Sequence, residues 1–522
     1  MIIVFLKTIV YFFLSLIYFY SITGYGKLLV NSNSSKLNRF NFFELSIFGI
    51  IFQLIFGYFV YLTVGTNFYI NIVLLLIGLI LFFFYKRELN QVHIKYIISL
   101  LFVTFTVILI SKTHEDFKLY HLFSVNEIFN NQLRIGITKL NLKFFTSSLL
   151  AYNQSLIVLP FFDFKFIHLP IFFIYFLTIG YFVFNCLDSI KNNERFYSLL
   201  VLMVLLVKFN RLSEYGYDYI AHFLLLIVFH KIYFYSSQKE ELIKALKIFT
   251  LCILIKPISL LFTPIFLYLI YKHDFKFLFK LFISRSLILS LMIFILISSS
   301  FLRTGCIFYP INSTCFSKEN IFWSEKKEVG EYSEFVSLWA KEFYNKDKSK
   351  YQKIKDKEIY KKNFTWFKYW IENHFFYKIF EFLVILFSII LVIYTIFIRE
   401  KPKIKKNFHS KFLLLLSFSC LSFWLLTVPH FRFGISLIII FFYMVFQTFL
   451  NLEINLKKKK IYNLIIFSLI ILNVKNFERI NNEINRDDMY KFNNFPFYNK
   501  IEIITDDQKV EKSKFFHIEI IR

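Results

Sequence analysis

The chain has 522 residues, of which 57% are hydrophobic and only 18% are charged. Apolar runs of about 20 residues, enough to cross a bilayer, recur along it; this excludes a soluble domain and indicates an all-α polytopic membrane protein. The net charge of +26 comes from 61 basic and 35 acidic residues. With no nucleic-acid-binding motif beside it, the excess reads as lysine-rich cytoplasmic loops, not as a surface for nucleic acid.

In chain order, the first run, MIIVFLKTIVYFFLSLIYFYSITGYGK, has few leading charges and no small-residue cleavage site. It reads as a retained first helix, not a signal peptide. Spans are expected next at 42–64, 67–85 and 94–111. THEDFKLYHLF, residues 113–123, then opens a polar loop at 112–163. Further spans are expected at 164–187, 197–210, 217–235, 243–256, 258–271 and 283–301. The pieces 243–256 and 258–271 meet at Lys256-Pro257. Proline interrupts a helix there, and lipid tolerates such a break only where the freed backbone is buried in protein or lines a cavity. A second long loop, 302–375, contains EYSEFVSLWAKEFY, with Phe335, Leu338, Trp339 and Phe343 at the spacing of an amphipathic helix. NFTWFKYWIENHFF then supplies interfacial aromatics. The last spans are 376–398, 411–428, 433–451 and 457–474, before a polar tail, 476–522, with the β-like pieces IEIIT and FFHIEII. The expected architecture is a transmembrane domain over 1–475 with about 13–14 helices, some short or broken, plus helices in its outer loops.

The basic residues orient this threading. Lys27, Lys36, Arg39, Lys86, Arg87, Lys191, Arg195, Lys239, Lys244, Lys247 and Lys272 all fall on one side, which the positive-inside rule makes cytoplasmic. The loops 112–163, 210–217, 302–375 and 429–432, the Lys256-Pro257 break and the tail then lie outside. His114, Glu115, Asp116, His121, Arg211, Glu214, Asp218, Lys256, Arg303, His430 and Arg432 map to that outer face. Charges at membrane depth are costly and mark functional paths by default.

Each has a plain reading beside a functional one. Asp116 is placed to act as a general base, or else it pairs with Lys112 or Lys118; Glu115 is its rival. His114 and His121 have a loose metal spacing, so a divalent metal is possible, although no ligand set is assigned. Lys256 either grips a phosphate at the broken helix end or pairs with Asp218 or Glu214. Arg432, on a tight hairpin turn, either holds phosphate in bidentate fashion or snorkels to the interface. Cys306 and Cys315, in RTGCIFYPINSTCF, are read as a disulfide, which requires an extracytoplasmic side. Cys186, Cys252 and Cys420 sit in apolar runs and read as packing residues.

THEDFKLYH and the following RIGITKLNLKFFTSSLLAYNQSLIVLP resemble the first outer loop of bacterial GT-C-type membrane glycosyltransferases. Within that group they are similar to polytopic proteins with an Asp…Tyr-His pattern and a Gly…Leu-Asn…Phe…Ser stretch. Asp116, Tyr120, His121, Gly136, Leu140, Asn141, Phe145 and Ser148 match it, and SEYGYD, TGCIFYP with Trp323, and PHFRFG are similar to its later blocks. The resemblance spans roughly 94–450 and implies a GT-C-like fold in a bacterial plasma membrane. It implies a polyprenyl-phosphate-linked sugar as donor, a glycan or lipid acceptor, and Asp116 as base of an inverting transfer on the outer leaflet. Lys256 and Arg432 are the candidates to hold the donor phosphate, with Tyr120, His121, Arg211 and Asp218 as further binding residues. A surface-polysaccharide polymerase, a lipid-linked-sugar flippase or transporter, and a non-catalytic scaffold are the competing expectations.

Overall fold

The computed structural model describes residues 2–29, 42–85, 91–109, 121–131, 133–141, 144–145, 148–162, 164–209, 217–274, 276, 287–344, 356–397, 408–449, 457–484, 512–515 and 518–521. Asp116, Glu115, Tyr120 and Arg211, together with His114, Glu214 and the IEIIT piece, lie outside the described residues.

The protein is an all-α integral membrane protein. Helix dominates because a backbone in lipid must satisfy its own N–H and C=O groups, and a helix does so within one segment. Among the described residues eight helices are long and apolar enough to cross a membrane: Phe5–Leu29, Phe42–Thr63, Phe164–Asp188, Tyr217–Tyr235, Leu287–Thr304, Lys357–Phe397, His409–Thr427 and Lys458–Asn482. The other expected spans are also helical but shorter. They include Phe68–Phe84, Ile94–Val107 and Ile435–Phe449.

The chain begins with α1 (Ile2–Leu29), α2 (Phe42–Thr63), α3 (Phe68–Tyr85) and α4 (Gln91–Thr104). Two glycines let α1 and α2 touch backbone to backbone. A Cβ on Gly26 would lie 1.7 Å from the Leu45 carbonyl oxygen, and one on Gly49 would lie 1.7 Å from that of Ile22. Small residues at a crossing serve this purpose in membrane bundles. The first long loop then folds into α5 (Leu122–Asn130), β1 (Arg134–Ile135) and α6 (Leu150–Ser155).

The centre is α7 (Leu169–Asp188), α8 (Asn192–Lys208), α9 (Tyr217–Tyr235) and α10 (Lys239–Ile255). The apolar window of Phe164–Asp188 is 94% buried and that of Tyr217–Tyr235 is 83% buried, against 33% for Leu287–Thr304, so α7 and α9 are interior and the latter is peripheral. Past Lys256 the backbone turns extended, runs as a 3₁₀ helix over Pro257–Phe266 and resumes as α11 (Leu267–Lys272). The Lys256-Pro257 break is therefore real, and the segment after it is mostly 3₁₀. The Ser259 N–H is already bonded to the Lys256 carbonyl at 3.0 Å.

Then come α12 (Leu287–Thr304) and α13 (Lys326–Ala340), the amphipathic helix expected in the second loop. Next are α14 (Lys357–Lys361), α15 (Thr365–Trp370), a π-helical stretch over Ile371–Ile379, and α16 (Phe380–Phe397). The aromatic-rich segment thus joins the following span as one helical rod. The bundle closes with α17 (Phe408–Thr427), α18 (Ile435–Phe449) and α19 (Lys458–Ile484). The last helix runs ten residues beyond the expected span end at 474, and Arg479 anchors the extension with guanidinium bonds to the Thr106 and Leu109 carbonyls at 3.1 and 2.8 Å. Strands β2 (Lys512–Phe515) and β3 (Ile518–Ile521) form a hairpin, and β3 pairs in parallel with β1, with Arg134 opposite Glu519 and Ile135 opposite Ile520. The tail is thereby joined to the first long loop.

Two ends of the bundle are distinguished by contact. At one end Lys231, late in α9, meets Glu44 at the start of α2 at 2.9 Å. At the other, Tyr58 late in α2 meets Ser298 late in α12 at 2.6 Å, and Asp218 opens α9.

Candidate functional site

Three of the residues singled out in the sequence converge at the Asp218 end. Asp218 lies in the first turn of α9, where the positive end of the helix dipole favours a carboxylate. Its Oδ1 is 3.2 Å from the Lys256 Nζ and its Oδ2 is 3.5 Å from the Arg432 Nε. The acid therefore bridges two cations separated by 176 positions in the chain. Asp218 and Lys256 are each 13% exposed at the side chain and Arg432 is 32% exposed. The cluster carries a net charge of +1, held where water is scarce on one side and present on the other. Of the two readings of Lys256, pairing with Asp218 is what the geometry shows.

Both cations are placed by irregular backbone between helices. Lys256 is the extended residue (φ −150°, ψ 116°) between α10 and the 3₁₀ segment, so proline fixes where its side chain leaves the backbone. Arg432 sits in a 3₁₀ turn, Phe431–Phe433, between α17 and α18. That turn is clamped on several sides. Trp370 donates to the Pro429 carbonyl at 2.6 Å, Trp424 to the His430 carbonyl at 3.1 Å, and the Phe431 N–H to His374 Nε2 at 2.8 Å. A Cβ on Gly434 would lie 2.5 Å from the Trp424 ring, which explains the glycine of PHFRFG. The Arg432 guanidinium stands 4.7 Å above Trp339 of α13 and 5.0 Å from the Phe433 ring, in cation–π geometry. Trp339 also stacks on His430 at 4.4 Å. Burial, with Arg432, His374 and Lys378 nearby, holds the His430 imidazole well below its ordinary pKa. Its Nδ1 accepts from the Arg432 N–H at 3.4 Å.

Of the first-loop candidates within the described residues, His121 is buried and packs edge-on against Tyr217, ring centroids 4.7 Å apart. Tyr217 precedes Asp218 and donates its hydroxyl to the Gln154 amide oxygen of α6. The end of the THEDFKLYH segment thus touches the helix that carries Asp218. Gly136 adopts a left-handed conformation (φ 75°), for which glycine is suited, and its N–H bonds to the Leu302 carbonyl at 2.8 Å. Among the described residues no group of three His, Cys, Asp or Glu stands close enough to hold a metal ion.

Cys306 and Cys315 are joined in a disulfide. Phe145 of the first loop packs on it with Val329 of α13, so the bridge, which lies within the second loop, is a contact point between the two. Cys186, Cys252 and Cys420 are free and buried. Cys306→Ser is expected to destabilise this loop assembly by about 2–3 kcal/mol, the loop-closure value for a bridge of this span. The check is a lowered thermal midpoint in detergent; alkylation of the folded wild type should reach two thiols, and only after reduction.

Sequence reasoning missed the role of Trp339, Trp370, Trp424 and His374. Trp339 reads as amphipathic, Trp370 and His374 as part of an interfacial segment, and Trp424 as part of a span. Apart from Trp424, which bonds to His430 six positions on, their service to Arg432 comes from contacts across 57 or more positions, as for Trp370 with Pro429 and His374 with Phe431. It also missed the opposite end of the bundle. There Lys231, 1% exposed, contacts both Glu44 and Glu241, and Lys244 joins the same two acids at 3.4 and 2.7 Å. Beside it His230 lies between Glu194, at 3.2 Å, and the Tyr181 hydroxyl, at 2.8 Å. Of these residues the sequence singles out only Lys244, as one of the basic residues on the cytoplasmic side.

No curated protein and no solved structure matches the chain. One family does: the chain belongs to the family described as a domain of unknown function, DUF8201, which matches residues 1–439 and so takes in Asp218, Lys256 and Arg432.

Proposed function

We propose that this protein is a membrane glycosyltransferase of the GT-C type. In this reading it transfers a sugar from a polyprenyl-phosphate-linked donor to a cell-surface glycan or lipid on the extracytoplasmic face of a bacterial plasma membrane. The observation that carries the reading is the convergence of Lys256 and Arg432 on Asp218, at two helix breaks on the same end of the bundle. The opposite end bears Lys239, Lys244 and Lys247 on α10, which supports a cytoplasmic placement of that end by the positive-inside rule.

The chemistry suits the cluster. When an acceptor hydroxyl attacks the anomeric carbon, the bond from that carbon to the phosphate oxygen breaks and the phosphate leaves with the electron pair. That departure needs positive charge more than a proton. Lysine has three N–H donors and arginine five, so both can hold Asp218 and still present N–H groups to a phosphate. Asp218 keeps the two cations at a fixed spacing and prevents their mutual repulsion. The acceptor proton goes to a carboxylate base, and Asp116 is the candidate from the sequence. It lies five positions before His121, at most about 18 Å of extended chain, and His121 already touches the residue before Asp218.

The test is made in membranes from a strain lacking the protein, complemented with variants. Wild type is expected to restore one sugar to the surface glycan, measured by mass spectrometry. Asp116→Asn is expected to lower transfer at least a hundredfold while the protein accumulates normally, with the polyprenyl-phosphate sugar building up. A strain that instead accumulates single complete repeat units on lipid would overturn the reading in favour of a polymerase.

A further inference from the structure

A second polar site lies at the Asp218 end, separate from the Lys256 cluster. Tyr58 of α2, Glu127 of α5, Arg134 of β1, Tyr152 of α6 and Arg303 of α12 line a cavity of about 40 Å³. We propose that it binds a compact oxyanion of the phosphate class.

Charge is the first argument. The charged residues of the lining are Arg134, Arg303 and Glu127, which sum to +1. Arg134 Nη1 is 3.0 Å from Glu127 Oε2, with side-chain exposures of 10% and 3%. Its Nη2 donates to Asn131 Oδ1 at 3.0 Å, and its backbone N–H donates to the Tyr61 hydroxyl at 3.3 Å. Arg303 donates its Nε–H to the Ser299 carbonyl of its own helix at 3.0 Å. Both guanidiniums are therefore held in place before any ligand arrives, which lowers the ordering cost of binding. A planar guanidinium fork matches two oxygens of a phosphate, and a net positive lining disfavours a metal cation.

Construction is the second. The first loop is stitched to the end of α12 at this point. Thr138 donates to the Arg303 carbonyl at 2.7 Å, and the Gly136 N–H donates to the Leu302 carbonyl at 2.8 Å. Tyr152 meets Tyr58 and Tyr61 with centroids 5.2 and 5.5 Å apart, so the aromatic wall is braced by contacts of its own.

Size is the third. A cavity of this volume has room for roughly two or three waters, or for one phosphate group. A larger ligand would place its anionic head here. The site is wired to the Lys256 cluster by α6: Tyr152 lines the cavity, and Gln154, two residues on, accepts from Tyr217 beside Asp218.

The experiment uses the full chain, purified in neutral detergent, with inorganic phosphate as probe and chloride at equal ionic strength as control. Calorimetric titration and the thermal midpoint are read together. Phosphate is expected to bind and to raise the midpoint, where chloride does not. Arg303→Gln should weaken binding at least tenfold, and Arg303→Lys should fall between, because it keeps the charge and loses the fork. Should Arg303→Gln fail to fold, Ser299→Leu fills the space and leaves all three charges; it too should weaken binding at least tenfold. A second arm reconstitutes the protein in phosphatidylcholine nanodiscs with or without phosphatidic acid. Stabilisation by free phosphate assigns the site to a soluble anion, and stabilisation by phosphatidic acid alone assigns it to a lipid headgroup. If neither stabilises the wild type, or if the variants respond as the wild type does, the proposal is overturned. The readout is binding and not sugar transfer, so this proposal and the glycosyltransferase reading stand or fall separately.

Discussion

Lys256→Met is expected to destabilise the protein by about 3 kcal/mol, the lower part of the range for breaking one half of a buried ion pair. The residual acid explains the cost. Asp218 is only 13% exposed at the side chain, and without Lys256 its nearest cation is Arg432 at 3.5 Å. Arg432 is more exposed and is shared with Trp339, so it compensates only in part. Asp218→Asn in the Lys256→Met background removes the stranded charge, and the thermal midpoint should recover most of the loss. Transfer of sugar should not recover, because the cation is still missing. This double variant separates the two roles of the pair: recovery of stability and transfer together would make Lys256 and Asp218 a structural bridge only.

Lys231→Met should have the larger effect on folding, about 3–5 kcal/mol. Lys231 is 1% exposed and faces two carboxylates, Glu44 and Glu241. Its removal leaves both acids near each other with Lys244 as their shared cation. Like charges in a low-dielectric setting repel strongly. The expected result is loss of the monodisperse peak on detergent size exclusion, while Lys327→Met, at an exposed pair with Glu331 on α13, leaves it unchanged. A monodisperse Lys231→Met protein with an unchanged midpoint would mean that water reaches this network and screens it.

The sequence alone determined the class of the molecule and most of its helices, because bilayer thickness and backbone hydrogen bonding leave few choices for long apolar runs. It determined the break at Lys256-Pro257, since proline cannot donate a hydrogen bond, and it marked Cys306 and Cys315, Asp218, Lys256 and Arg432 as costly residues in unusual places. What it could not determine was which costly residues meet. Lys256 had Asp218 or Glu214 as possible partners, and Arg432 had phosphate or the interface. Only the packing of α9 against the two helix breaks decided that Asp218 takes both cations. The same holds for Trp339, whose spacing shows a helix face but not the arginine above it, and for the Glu44–Lys231 network, whose members are 187 positions apart. Periodicity and turn chemistry are local and can be read along the chain. Pairing at a distance is set by how helices cross, and that depends on the packing of whole faces at once.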